Sequence, residues 1–122
     1  NQPVSHQLVE TTLADMITRH SEVGPEQIIN AVADSFGVTV DRILKHDRSR
    51  QVVIPRQIAM YLLREEAKLS LPQIGNMLGG RDHTTIMYGC EKVADMLERD
   101  DRLRRQVLQI RERLYGQPSL AV

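Results

Sequence analysis

The sequence contains no tryptophan, one phenylalanine and one cysteine, and its 16 Lys and Arg residues balance 16 Asp and Glu residues. With so few aromatic side chains, the core has to be aliphatic. The lone Cys90 cannot form an intrachain disulfide and suits a reducing compartment, so we expect a cytoplasmic protein. No apolar run approaches the roughly 18 residues of a membrane span, and no signal-peptide pattern opens the chain. These absences argue against secreted, disulfide-stapled and membrane-spanning classes.

The residues that are present indicate a globular domain. The chain has 122 residues, of which 41% are apolar and 26% charged. Its apolar residues are mainly Ala, Leu, Ile, Val and Met, and long β-branched or aromatic runs are scarce. We therefore expect an all-α helical bundle.

Breaks in the apolar pattern divide the chain into three parts. Helical spacing predicts an amphipathic connector helix within residues 1–24, ending before Gly24-Pro25. Residues 25–116 carry the remaining helical stripes and form the predicted main domain. Residues 117–122 are expected to be a tail.

Within the main domain, capping residues predict where helices begin and end. Thr39, Ser70 and Asp82 are suited to N-caps, and Gly37 to a left-handed helix end. Residues 45–54 show no helical period and are predicted to be a loop, with a helix beginning at Pro55.

The zero net charge hides an uneven distribution. Residues 1–41 hold six acids and one basic residue, whereas residues 42–64 hold six basic residues and one acid. A local basic patch is what phosphate contact requires, although most charge clusters are only solvated surfaces.

The segment 70–92, SLPQIGNMLGGRDHTTIMYGCEK, has the layout of a helix-turn-helix: a short helix, a glycine-rich turn and a second capped helix. Gly75 leaves room for the helices to cross, and Gly79-Gly80 permits a sharp turn. The second helix begins with the polar run 82–85, whose side chains suit base edges in the major groove. On the pattern alone, these can equally be ordinary first-turn polar residues.

Upstream of this segment, Arg48 and Arg50 lie in a basic stretch. A flexible basic loop can insert an Arg into the minor groove beside a helix in the major groove. The alternative is a solvated loop.

Other chemistry has little support. The four histidines and one cysteine lack the spacing of a structural metal site, and Cys90 on an inner stripe suits a buried apolar position. Gly79-Gly80 lacks the Lys-Ser/Thr of a Walker phosphate loop. We therefore expect no enzyme activity and no cofactor in this chain.

Three segments together resemble one family. GGRDHTT (79–85), LPQIG (71–75) and PRQIAMYL (55–62), with Arg48-Ser49-Arg50, are similar to the DNA-binding domain of the bacterial chromosomal replication initiator DnaA. The resemblance covers roughly residues 26–116.

The resemblance implies an all-helical fold with a Trp-repressor-like helix-turn-helix. It implies binding of short asymmetric duplex boxes at the replication origin and at regulated promoters, by a nucleoid-associated domain that is monomeric in isolation. The matching positions expected to contact bases are Arg48, Asp82, His83, Thr84 and Thr85. Those expected to contact phosphates are Arg50, Arg56, Gln57, Arg64, Leu71, Pro72, Arg81 and Lys92.

The chain departs from the family's pattern at three positions, one of which is Ile54. Asp47 stands where relatives often carry a basic residue, which should weaken non-specific attraction, and Glu91 lies near where some relatives add positive charge. The family's ATPase domain precedes this one, so residues 1–24 are expected to contain the end of that domain and a connecting helix. ATP is expected to bind only in the ATPase domain, outside this chain. The alternatives are a stand-alone transcriptional regulator and a helical protein-interaction module.

Overall fold

The computed structural model of the chain describes residues 23–116. The predicted connector helix in residues 1–24 and the tail at residues 117–122 fall almost entirely outside this range. Within the described range the chain forms helices and no strands, which confirms the all-α prediction. The helices are α1 Pro25–Phe36, α2 Val40–Leu44, α3 Arg50–Glu65, α4 Leu71–Met77, α5 His83–Arg99 and α6 Asp101–Leu114.

Local signals set most of the helix ends. The Oγ1 atom of Thr39 accepts a hydrogen bond from the backbone N–H of Arg42 at the start of α2. Ser70 begins α4 with a reciprocal capping box, in which Ser70 Oγ accepts from Gln73 N and Gln73 Oε1 accepts from Ser70 N. Gly37 ends α1 with φ of 68°, as expected.

The predicted loop at residues 45–54 is half wrong. Helix α3 begins at Arg50, so Pro55 lies inside the helix and the connecting segment is only residues 45–49. The β-branched residues before Pro55 have modest helix propensity, and proline in a helix interior is ordinarily unfavourable. Here Val52 is fully buried and Pro55 is also buried. Tertiary burial of the first two turns of α3 therefore outweighs the local preference.

Helix α3 lies at the centre of the bundle and packs against α1, α2, α4 and α5. The core is aliphatic, as the composition requires. Its largest fully buried side chains are Ile28, Ile43, Ile58, Leu62, Leu63, Ile74, Leu78, Ile86, Ile110, Val32, Val52 and Val93. Cys90 is 3% exposed, and burial raises the pKa of its thiol, so it is a packed apolar residue rather than a nucleophile.

Helix α6 closes the bundle against α1 and α5. Gln106 Nε2 donates to the carbonyl and hydroxyl oxygens of Ser35 in α1. Arg111 Nε lies 2.7 Å from Glu66 Oε2 at the end of α3. Within residues 23–116, no helix is long and apolar enough to cross a membrane.

Candidate nucleic-acid interface

Helices α4 and α5 and the turn between them form a close-packed pair. The backbone N–H of Arg81 donates to the carbonyl of Gly75 at 2.9 Å. A Cβ atom at Gly75 would lie 2.0 Å from the Arg81 carbonyl oxygen, so only glycine fits this crossing. Gly79 and Gly80 have φ of 81° and 74°, in the left-handed region that favours glycine. The close crossing predicted at Gly75 and the sharp turn predicted at Gly79 and Gly80 are therefore both present in the structure.

The first turn of α5 presents a row of exposed polar side chains: Asp82, His83, Thr84 and Thr85. Asp82 occupies the N-cap position, as predicted, but its side chain makes no capping hydrogen bond. Instead, one of its carboxylate oxygens lies 3.5 Å from His83 Nδ1. The polar groups of this turn therefore face solvent and are available to a partner.

Of the residues expected to contact phosphate, Arg50, Arg64, Pro72 and Lys92 are exposed, and so is the expected base contact Arg48. Gln57, Leu71 and Arg81 are half-buried. Arg56 differs from all of these, because it is only 5% exposed.

The guanidinium of Arg56 is engaged inside the protein. Its Nε donates to the Ile43 carbonyl at 2.7 Å, and its Nη2 donates to the carbonyls of Arg42 and Lys45. Burial, and then the nearby charge of Arg81, lower its pKa. The expected phosphate contact by Arg56 stays a prediction. These hydrogen bonds argue against it, because they hold the guanidinium inside the protein.

Arg81 reaches the same place from the turn between α4 and α5. Its Nη2 donates to the Lys45 carbonyl at 2.7 Å, and its Nη1 donates to the carbonyls of Leu44 and Leu78. Burial lowers its pKa. The turn is therefore joined directly to the segment that precedes Arg48.

The C-terminal end of the connecting segment 45–49 is also fixed, by the hydrogen bonds of Asp47. Arg42 Nε lies 2.9 Å from Asp47 Oδ2, and the backbone N–H of Ser49 donates to Asp47 Oδ1. The bond from the Ser49 backbone, then its hydroxyl and Arg42, lower the pKa of Asp47 to about 2. Asp47, which interrupts the basic run in the sequence, thus has a structural role.

Sequence reasoning missed two features of α5. Tyr88 is 61% exposed and follows Thr84 by four residues, so it lies on the same face of the helix. Gly89 faces α3, where an added Cβ would lie 2.5 Å from Met60 Sδ and 3.4 Å from Gln57 Cγ. The spacing from Thr84 could have identified Tyr88, whereas the close approach at Gly89 is visible only in the structure.

Other kinds of site are not supported in the described part of the chain, where no group of three or more His, Cys, Asp or Glu side chains could hold a metal ion. The close-packed pair of helices and the glycine turn between them define the class as a helix-turn-helix domain.

The comparison with known protein families matches residues 25–93 to the bacterial dnaA protein helix-turn-helix. The chain belongs to that family, and the resemblance drawn from its motifs is confirmed.

Comparison with individual proteins indicates the same family. The chain is 48% identical over 114 residues, 92% of its length, to the chromosomal replication initiator protein DnaA of Chloroflexus aurantiacus. It is 47% identical over 118 residues, 95% of its length, to the DnaA protein of Roseiflexus castenholzii. It covers 24% and 25% of these two proteins, so it spans about a quarter of the curated relatives it matches.

Proposed function

We propose that this chain binds double-stranded DNA in a sequence-specific manner, at short asymmetric boxes of a chromosomal replication origin. The observation that carries the proposal is the exposed polar turn 82–85 at the start of α5, in a chain of the DnaA helix-turn-helix family. The N-terminal residues of such a helix contact base edges in the major groove. In a larger initiator, the domain would fix the protein to its site on the chromosome.

The side chains divide by role. His83, Thr84 and Thr85 offer hydrogen-bonding groups and methyl groups to base edges, and Asp82 can accept from a cytosine amine. Arg48 is assigned to the neighbouring minor groove, where a narrow groove attracts guanidinium groups.

Phosphate contacts come from the exposed basic residues around this turn. Arg50, Arg64 and Lys92 would set the position of the domain along the duplex without reading its sequence. The half-buried Gln57 and Leu71, with the exposed Pro72, stay in the proposed phosphate-facing set. Because the box is asymmetric, one copy of the domain is expected to bind one box.

Fluorescence-anisotropy titration tests the proposal, using one duplex with the origin box of DnaA proteins and one scrambled duplex at two salt concentrations. We expect a preference of about a hundredfold or more for the box. Equal, steeply salt-dependent affinities would mean that phosphate attraction is all the chain provides. Weak binding to both duplexes would favour a protein-interaction module instead.

Two variants separate base contacts from phosphate contacts. His83→Ala should reduce the preference for the box by about 1–3 kcal/mol and change binding to scrambled duplex little. Lys92→Ala should weaken both complexes alike and reduce the salt slope by about one. Equal weakening of both duplexes by His83→Ala would contradict its base-reading role.

A further inference from the structure

The C-terminal end of α2 has four carbonyl groups that the helix itself cannot satisfy. The last four carbonyls of any α-helix lack an intrahelical partner. Here the backbone N–H of Lys45 bonds to the Asp41 carbonyl, and the four carbonyls that follow belong to residues 42–45. An unpaired carbonyl that is buried away from water is unfavourable, and Ile43 is the buried residue of the four, so its carbonyl in particular needs a donor from the protein; donors from side chains can pair all four.

Two arginines supply all of those donors. Arg56, from α3, bonds to the carbonyls of residues 42, 43 and 45, and Arg81, from the helix-turn-helix turn, bonds to those of residues 44 and 45. The Lys45 carbonyl accepts from both at 2.7 Å. We call Arg56, Arg81 and these carbonyls the arginine anchor. It joins three elements that are 11 to 37 residues apart in sequence.

The anchor ends three residues before Arg48. On the far side of Arg48, the Ser49 backbone is fixed by Asp47, which is itself paired with Arg42. The exposed Arg48 side chain therefore projects from a short segment whose backbone is held at both ends. One of the two fixed ends is bonded to Arg81, in the turn that leads directly into Asp82 and His83 at the start of α5.

We propose that Arg56 and Arg81 are positioning residues that set the place of Arg48 relative to the first turn of α5. This inference rests on the proposed function, because it assumes that Arg48 and α5 contact the same duplex. It replaces the phosphate-contact role that the family resemblance implies for both arginines. The Nε and Nη2 groups of Arg56 and the Nη1 and Nη2 groups of Arg81 donate to backbone carbonyls, and in this proposal their effect on DNA passes through Arg48.

Arg81→Lys distinguishes the two roles. Lysine keeps the positive charge that a phosphate contact needs but lacks the planar fork that spans two carbonyls. For a positioning role, we expect Arg81→Lys to weaken binding to the box about tenfold, an effect within the usual range for coupled residues. Binding to scrambled duplex and the salt slope should stay unchanged. A phosphate contact would instead keep most of its affinity in the lysine variant.

A double-mutant cycle with Arg48→Ala then tests whether the effect passes through Arg48. In the Arg48→Ala background, Arg81→Lys should change affinity for the box by less than about twofold, because the group it positions is already gone. Arg64→Ala is the matched control, since Arg64 is an exposed arginine of α3 outside the anchor. Its effect should be the same in both backgrounds. Additive effects of Arg48→Ala and Arg81→Lys would overturn the positioning role.

A measurement without DNA keeps the two proposals separate. The backbone ¹H–¹⁵N nuclear Overhauser effects of residues 46–49 should fall in Arg81→Lys relative to the unsubstituted protein, with no change elsewhere. Unchanged values would refute the anchor while leaving sequence-specific binding intact. If Arg48→Ala bound the box as tightly as the unsubstituted protein, the minor-groove assignment and the positioning of Arg48 would both be overturned, whatever the mobility of the segment.

Discussion

The turn at residues 78–82 and the segment at residues 45–49 lie side by side, but they are built in different ways. The turn depends on its own residues: two left-handed glycines and the contact between Gly75 and Arg81, six positions apart. The segment depends at its first residue, Lys45, on bonds from the distant Arg56 and Arg81, in addition to the local bonds of Asp47. The turn should therefore respond to local substitutions, and the segment also to changes elsewhere in the bundle.

The largest effect is expected from Gly75→Ala, which would break the turn. A Cβ there would lie 2.0 Å from a backbone oxygen that cannot move without moving the turn. We expect the free energy of unfolding to fall by about 3 kcal/mol or more, despite the better helix propensity of alanine. Urea unfolding followed by circular dichroism measures it.

Gly80→Ala is the control for that substitution. Gly80, unlike Gly75, has a positive φ, and an added Cβ there would meet nothing within 4 Å. Its cost should be the left-handed conformation alone, about 1–2 kcal/mol. If both variants lost the same stability, the close crossing at Gly75 would not be the cause.

Next in size, Arg56→Met should loosen the segment from the other side. Methionine retains apolar volume but leaves the carbonyls of residues 42 and 43 without their charged donor, and that of Lys45 with Arg81 alone. We expect a loss of about 2–3 kcal/mol in unfolding free energy. Arg64→Met, at an exposed position of the same helix, should change it by less than about 0.5 kcal/mol. Similar losses in the two variants would contradict the buried role of Arg56.

A smaller effect is expected from Ser70→Ala at the start of α4. The substitution removes the hydroxyl that accepts from Gln73 N, and the unfolding free energy should fall by about 1 kcal/mol. Ser70→Thr keeps the hydroxyl and should recover most of it. Thermal unfolding of the three proteins gives the comparison. An unaffected alanine variant would show that the capping box contributes nothing.

The smallest effect concerns the pH dependence of the segment. The pKa of Asp47 is lowered from 3.8 to about 2, so the charged form is favoured in the folded protein. Its contribution to stability is therefore present above about pH 4 and is lost as the pH falls from about 4 to about 2. Asp47→Asn should remove that part of the pH dependence. A carboxyl titration by NMR that gives an ordinary pKa for Asp47 would contradict this.

The sequence predicted the features that depend on neighbouring residues better than those that depend on distant ones. The caps at Thr39 and Ser70, the helix end at Gly37 and the glycine turn are local patterns, and each lies where it was predicted. The start of α3 was wrong, because the burial of Val52 and Pro55 is set by the helices packed around them. Composition gave the fold class, since an aliphatic sequence without strand-forming runs has few other ways to build a core.

In the candidate site, the difference between what the sequence predicted and what it did not is larger. The exposed row 82–85 follows from a capped amphipathic helix, and its exposure could be inferred from the pattern. Arg56 precedes Ala59 by three residues and Leu63 by seven, so helical spacing places it on the buried face of the helix, a signal that the prediction of a phosphate contact did not use. The carbonyl partners that allow a charged group to be buried there lie 11 to 14 residues away, and the resemblance to relatives did not indicate them.

The anchored segment has a thermodynamic consequence for binding. A protein arm that is disordered until it meets DNA loses conformational entropy on binding and shows the large negative heat-capacity change of coupled folding. Lys45 and Ser49, at the two ends of the segment, already have backbone hydrogen bonds in the free domain. If the domain binds as proposed, calorimetry should show a heat-capacity change no larger than rigid docking requires. Differences between good and poor boxes should then arise mainly in how long the complex lasts, rather than in how fast it forms.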